Sequence, residues 1–300
     1  MFSQKIIVIE GPTASGKTAL AIALAQHLST VIISSDSRQF YREMSIGTAK
    51  PSESELNSAT HYFINSHSIN APLSAGQFAL EAAELLNSPE LLSHEFVIVA
   101  GGSGMFTDAL VNGLDEIPTD PKLQTELQQI VNTKGIETLL EELKVADPVY
   151  FGQVDKQNSR RILRAIEVIR LTNQPFSALR TGQENSPENV FRFQLLPERE
   201  KLYSRINLRV DQMIANGLLD EVESLREFQE LRPLQTVGYL ELFPYFDGRT
   251  NLESAVELIK QHTRNYAKRQ MTWFRRKEAI VLKNGSVEDQ VREIHDAVRS

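Results

Sequence analysis

The stretch GPTASGKT, residues 11–18, fits the phosphate-cradling pattern G-x-x-x-x-G-K-[ST]. It follows an apolar run over residues 5–10 that reads as a β-strand, and it opens a run of small and aliphatic residues, 17–28, that reads as a helix. In that setting Gly11 and Gly16 permit backbone angles that turn successive N–H groups toward phosphate oxygens. Pro12, Thr13, Ala14 and Ser15 complete the loop, Lys17 adds a point charge, and the Thr18 hydroxyl suits Mg²⁺. The helix N-terminus favours the anion as well. A chance match in a turn is the alternative, and it leaves both flanking elements unexplained. The loop specifies a ligand with linked phosphates and leaves its chemistry open.

Outward from the loop, apolar runs alternate with helix-like segments. Residues 31–35 read as a second strand, 75–86 as a helix, and 95–100 as a further strand running into Gly101-Gly102. Such alternation means crossover connections and a parallel sheet, which binds ligands beyond the carboxyl ends of its strands. From about residue 118 to 187 the pattern turns helical (123–131, 136–143, 159–171) and ends in a polar loop at 181–187. A returning strand is expected over 191–196, a long helix over 252–276 and a short strand over 279–282. The expected fold is therefore α/β: a P-loop-type parallel sheet flanked by helices, with a helical insertion domain. Its core comprises 1–117 and 188–300, and the insertion 118–187.

Composition narrows the class. The chain has 300 residues and no cysteine, which excludes disulfides and thiolate metal sites. No stretch approaches the length of an apolar membrane span, so a cytoplasmic protein without membrane contact is expected. The net charge is −7, from 32 basic and 39 acidic residues, but it is unevenly spread. Seven cations and no carboxylate lie between Lys260 and Lys277, leaving 25 basic against 39 acidic residues elsewhere, or −14. A concentrated basic segment on an acidic body points to a local polyanion site.

The chemistry-bearing residues limit what the loop does. Nucleotide hydrolases of this type carry an acidic residue at the end of a second apolar strand to hold Mg²⁺. Here Val99 runs into Ala100-Gly101-Gly102-Ser103-Gly104 with no carboxylate, which argues against hydrolysis as a power source. The glycines permit a second close backbone approach to a ligand, or form a plain tight turn. Asp36, just past the second strand, lies on the same sheet edge as the loop and reads either as a proton acceptor or as a turn residue. In the basic segment Arg264, Lys268 and Arg275 share a helical stripe with Tyr266 and Trp273 interleaved, which suits single-stranded or loop RNA but also a solvated face with Trp273 in the core. In the run 158–170, Ile162 belongs to a buried face while Arg160 and Arg164 project from another, as on a phosphate-gripping or a plain surface helix. The histidines show no metal-ligand spacing, and His61 and His67 read as ordinary surface or packing residues.

Assembled, these stretches resemble one family, the tRNA dimethylallyltransferases. The resemblance rests on GPTASGKT at 11–18, SSDSRQFYREMSIGTAKP at 34–51, GGSGMFTDAL at 101–110 and NSRRILRAIEV at 158–168. It continues through LYSRINLRVDQMIANGLLDEV at 202–222, TVGYLE at 236–241 and YAKRQMTWFR at 266–275, in the family's order over nearly the whole chain. The resemblance implies transfer of a dimethylallyl group from dimethylallyl diphosphate to N6 of adenosine 37 in the tRNA anticodon loop, with diphosphate released and Mg²⁺ as cofactor. Asp36 matches the general base, Thr13 and Arg209 match positions that steady the leaving diphosphate, and Thr18 matches the Mg²⁺-linked hydroxyl. Asp36, Ser37, Arg38 and Gln39 match tRNA-contacting positions, as do Ser103 and the run Arg160, Arg161, Ile162, Leu163 and Arg164. So do Gln235, Thr236, Val237, Gly238, Tyr239 and Leu240. A monomer is expected.

Three departures from the family's usual residues stand out. His61-Tyr62-Phe63-Ile64-Asn65 replaces His-His-Leu-Ile-Asp, Phe106 replaces a tyrosine, and Leu240 replaces a lysine. Two rivals share many of the features. A small-molecule kinase predicts ATP binding, and a catalytically idle RNA-binding protein predicts tRNA binding without diphosphate release.

Overall fold

A computed structural model of the chain describes residues 2–113, 117–180 and 187–299. Of the polar loop expected at 181–187, all but Pro187 lies outside them. Along the chain the elements are β1 (Lys5–Glu10), α1 (Lys17–Leu28), β2 (Ile32–Ser34), β3 (His61–Tyr62), α2 (Ala75–Leu86), β4 (Phe96–Gly101) and α3 (Gly104–Asn112). Then come α4 (Pro121–Lys134), α5 (Glu137–Ala146), α6 (Ser159–Thr172), β5 (Val190–Gln194), α7 (Arg199–Ala215), α8 (Leu218–Ser224), α9 (Leu252–Phe274), β6 (Ile280–Val281) and α10 (Val287–Arg299). Helices shorter than seven residues carry no label.

The described strands form one parallel sheet in the order β3-β2-β4-β1-β5-β6. Its centre is β1, with Ile7 opposite Ile98 of β4 on one side and Phe191 of β5 on the other. Parallel strands covered on both faces need continuous apolar runs rather than alternation, and Ile6, Ile7, Val8 and Ile9 are all fully buried. Ile6 and Val8 join Phe78, Ala82, Leu86, Phe106 and Leu110 on the face covered by α2 and α3. Ile7 and Ile9 join Leu20, Leu24, Ile294 and Val298 on the face covered by α1 and α10. A third cluster gathers α7, α8 and α9 around Val210, Val222, Tyr239 and Ile259.

By backbone contacts the chain divides into two compact units, Met1–Val111 with Ser186–Ser300, and Asn112–Asn185. The second unit has its own core of Leu127, Leu139, Leu143, Tyr150, Ile162, Ala165 and Ile166. Its helix starts follow ordinary capping chemistry: Asp120 accepts from the N–H groups of Lys122 and Leu123 ahead of α4, and Asn158 accepts from Arg161 ahead of α6. Buried Glu167 closes the unit by accepting from the Asp120 N–H, the Gln124 amide and Arg164. Among the described residues no helix is long and apolar enough to cross a membrane.

Several elements escape the sequence reading, β3 and α10 among them, for different reasons. Strand β3 is two residues long, too short to show periodicity. Helix α10 could have been read, because Val287, Val291, Ile294 and Val298 recur at helical spacing, and three of them form its buried stripe.

Candidate active site

The loop between β1 and α1 takes the shape its glycines foretell. Gly16 sits at φ 101, ψ 9 as it enters α1, and Ala14 is held at φ 61, left-handed values that crowd N–H groups onto one side of the loop. The Ser15 hydroxyl is buried without a hydrogen-bond partner. A buried polar atom left unmatched carries a desolvation cost, so this hydroxyl is poised for an external acceptor or donor. Lys17 reaches back over the loop, its Nζ donating to the Pro12 carbonyl at 2.8 Å. Burial pushes the Lys17 ammonium down to about 8; the Asp36 carboxylate opposes this and Arg209 adds to it.

Asp36 lies just past β2, at the carboxyl edge of the sheet. Its Oδ1 accepts from the Arg38 N–H at 3.2 Å, and its own carbonyl accepts from the Gln39 N–H at 3.0 Å, so the turn is self-braced. The glycine run after β4 serves this turn. A Cβ on Gly101 would stand 2.5 Å from the Ser35 backbone, so β4 can end beside β2 only with glycine there. Gly101 thus approaches the chain itself closely, and it also lines the cavity at the phosphate loop. Two residues on, Ser103 Oγ accepts from the Ser37 N–H at 3.1 Å and lies 3.0 Å from the Ser37 hydroxyl.

Helix α7 contributes Arg209, whose Nη1 donates to Thr13 Oγ1 at 3.4 Å. Thr13 through Thr18, Asp36, Gln39, Thr48, Gly101 and Arg209 line a cavity of about 200 Å³. His61, expected as a surface or packing residue, also lines it; its Nδ1 faces the Ala59 carbonyl at 2.8 Å, and burial lowers its basicity. A second space of about 60 Å³ shares Thr13, Asp36, Thr48, Ala49 and Arg209 with the first. Its remaining wall is largely apolar, with Ile206, Val210, Met213, Val237 and Ile259. A polar chamber and an apolar one therefore meet at Thr13, Asp36 and Arg209.

The basic helix α9 is more divided than a uniform cationic stripe. Arg264 turns inward, its Nη1 on Asn207 of α7 at 2.6 Å. Lys268, Arg269, Arg275 and Arg276 stay exposed, and Trp273, 39% exposed, is a surface residue rather than core. The Tyr266 ring has the guanidinium carbons of Arg38 at 4.6 Å and Arg269 at 5.7 Å from its centroid. In α6, Arg160 and Arg161 are exposed, Leu163 is half-buried and Ile162 is fully buried. Arg164 does not project with Arg160: it donates to the carbonyls of Ile117 and Pro118 and to Glu167. Between α8 and α9, Gln235 and Leu240 are exposed, whereas Thr236, Gly238 and Tyr239 are buried and Val237 half-buried. Phe106 packs in an aromatic cluster, its ring 5.6 and 5.7 Å from those of Phe40 and Phe78.

Three supporting groups went unread in the sequence. Glu221 of α8 accepts from the N–H groups of Ser45, Ile46 and Gly47 and from the Tyr239 hydroxyl. Gln270 of α9, buried, contacts both glycine loops. Arg192 of β5 pairs with Glu10 at 3.2 Å and Asp108 at 2.8 Å behind the phosphate loop, where burial pushes Glu10 up to about 7. A polar residue on the inward face of an amphipathic element was the available signal for Gln270 and Arg192. Nothing in the sequence places Glu221 opposite residues 45–47.

The family profile described as IPP transferase matches residues 39–277. A tRNA dimethylallyltransferase of Christiangramia forsetii is 45% identical over 283 residues, covering 93% of this chain and 92% of that protein. Among solved structures, the full-length tRNA isopentenylpyrophosphate transferase of Bacillus halodurans superposes with a TM-score of 0.73 at 34% identity, over 99% of this chain and 96% of that one. A eukaryotic dimethylallyltransferase, solved acting on tRNA, gives 0.77 at 25% identity over 93% of this chain and 74% of that one. The chain belongs to the IPP transferase family, that of the tRNA dimethylallyltransferases.

Proposed function

We propose that the protein transfers the dimethylallyl group of dimethylallyl diphosphate to N6 of adenosine 37 in the anticodon loop of tRNA, releasing diphosphate. It would act as a monomer in the cytoplasm. The observation that carries this reading is the meeting of the polar and apolar chambers at Thr13, Asp36 and Arg209, which suits a donor with a diphosphate head and a short hydrocarbon tail. The loop N–H groups, Lys17 and Arg209 stabilise charge that builds on the diphosphate oxygens as the allylic C–O bond breaks. The N6 nitrogen forms the new bond to that carbon, and its proton passes to the Asp36 carboxylate. The adenine is expected to leave the anticodon-loop stack to reach this point.

Mg²⁺ fits the residues present. The Thr18 side chain lines the diphosphate cavity, and among the described residues no group of three or more acidic or histidine side chains forms a cage. That is the donor set of an ion held by one hydroxyl, diphosphate oxygens and water, which when bound would neutralise charge on the leaving group.

Incubation of tRNA with labelled dimethylallyl diphosphate, followed by mass spectrometry of the nucleosides, is expected to place the label on an adenosine beside the anticodon. Thermal stabilisation by ATP and not by dimethylallyl diphosphate would favour a kinase instead. Asp36→Ala is expected to keep donor and tRNA affinity while cutting turnover by roughly two orders of magnitude or more. Unchanged turnover would remove Asp36 as the base.

A further inference from the structure

Glu241 follows the turn that supplies part of the apolar chamber, and its side chain is only 4% exposed. A buried carboxylate carries a large desolvation cost unless its oxygens are matched. Both oxygens are matched here. Oε2 accepts from the Gly238 N–H at 2.7 Å, and Oε1 faces Nδ1 of His262, on α9, at 2.6 Å. A carboxylate only accepts, so Nδ1 of His262 carries the proton between them.

These two bonds join two walls of the same chamber. Val237 and Gly238 line it from the turn, and Ile259, Thr263 and Tyr266 line it from α9. The three helix positions share one face, and His262, nearly a turn on from Ile259, borders that face. Neither Glu241 nor His262 belongs to the lining itself. The separation of turn and helix, and with it the width of the space between them, is thus held by a pair of side chains outside that space. The turn has a second anchor in the Tyr239 hydroxyl, which donates to Glu221 at 2.7 Å. Loss of the Glu241–His262 clamp therefore loosens one wall without freeing the whole turn.

We propose that Glu241 and His262 are positioning residues that fix the width of the apolar chamber and so restrict the donor to a five-carbon tail. The proposal rests on the transferase reading given above and adds to it what limits the donor. At about 60 Å³ the chamber is much the smaller of the two spaces that meet at Thr13, Asp36 and Arg209. Extra methylenes in a close-packed site have to be met by shifts of side chains and backbone. A tail longer by one isoprene unit has to push the turn away from α9, and the clamp opposes that movement.

The test is calorimetric titration of the full chain, with Mg²⁺ and without RNA, against dimethylallyl diphosphate, the ten-carbon geranyl diphosphate and inorganic diphosphate. The wild type is expected to bind the five-carbon donor about 100-fold more tightly than the ten-carbon one. Glu241→Leu removes both bonds and His262→Ala removes one. Each should lower that preference by about tenfold, through tighter binding of the longer donor. Glu241→Gln keeps an acceptor for the Gly238 N–H and offers its amide to the other His262 tautomer, and His262→Asn keeps a donor for the carboxylate. Both should therefore stay within about twofold of the wild-type preference. Inorganic diphosphate, which has no tail, should bind every variant alike, because neither residue lines the cavity at the phosphate loop. His262 is only half-buried, so His262→Ala serves if Glu241→Leu does not fold. A folded Glu241→Leu or His262→Ala with the wild-type preference would overturn the proposal. So would conservative variants that lose the preference equally, or a wild type that binds both donors equally well. A wild type that shows the preference yet transfers no prenyl group to tRNA would count against the transferase reading alone, since the preference is measured without turnover.

Discussion

Lys17 illustrates how a residue common to many phosphate loops acquires a local property. Its ammonium is held near the loop by the Pro12 carbonyl, and burial brings it down to about 8 against the pull of Asp36. Below that value it is a cation, and it loses its charge as pH rises through it. If the cation is the binding form, dimethylallyl diphosphate affinity should hold below pH 8 and fall above it, toward about tenfold per pH unit. Titrations between pH 7 and 9.5 would show this, and Lys17→Arg, charged throughout, should flatten the slope. A wild-type Kd constant across that window would mean that the anion binds without Lys17. The same scale explains the limits of motif reading. GPTASGKT announces Lys17 and Thr18 by name, but nothing in it says that Thr13 answers to Arg209, some two hundred residues on.

At the scale of elements, the loop 45–47 is held by a carboxylate from a different helix. Glu221 accepts from Ser45 and Ile46 at 2.8 Å each, from Gly47 at 2.9 Å and from the Tyr239 hydroxyl at 2.7 Å. Burial and the Glu221 carboxylate together push the Tyr239 phenol strongly up, so it remains a donor. Gly47 lies so close to this ring that a Cβ would meet it at 2.6 Å. Removing the carboxylate in Glu221→Ala leaves three N–H groups and a phenol without their acceptor; since only the phenol is buried and the loop N–H groups are in part open to water, the expected loss is about 1–3 kcal/mol. The loop leads directly to Thr48 and Ala49, which line both chambers, so turnover should fall together with the melting temperature. Full activity with an unchanged melting temperature would show the staple to be dispensable. Such a contact is invisible before the fold is known, because residues 45–47 and 221 are related only through packing. Strands β1 and β4 were legible for the opposite reason: a strand buried on both faces must be continuously apolar, and the chain says so locally.

For the whole molecule, the decisive property is the division between an acidic body and one basic segment. The sequence reading treated that segment as a single cationic stripe, and packing divides it: half-buried Arg264 bonds Asn207 of α7, while Lys268 and Arg276 stay exposed beside Trp273. A cation already engaged with the protein releases few counterions when nucleic acid arrives, whereas an exposed one that meets a phosphate releases them and steepens the dependence of affinity on salt. Lys268→Ala and Arg276→Ala are therefore each expected to lower the slope of log K against log salt for anticodon stem-loop binding by about 0.7 to 0.9. Arg264→Ala should leave the slope unchanged while lowering thermal stability, because what it loses is the tie between α9 and α7. Dimethylallyl diphosphate affinity measured without RNA gives the control, since neither Lys268 nor Arg276 lines the cavity at the phosphate loop. If Arg264→Ala lowers the salt slope while the two surface variants do not, the nucleic acid lies along the buried side of α9, and the assignment of its outer face as the docking surface is wrong.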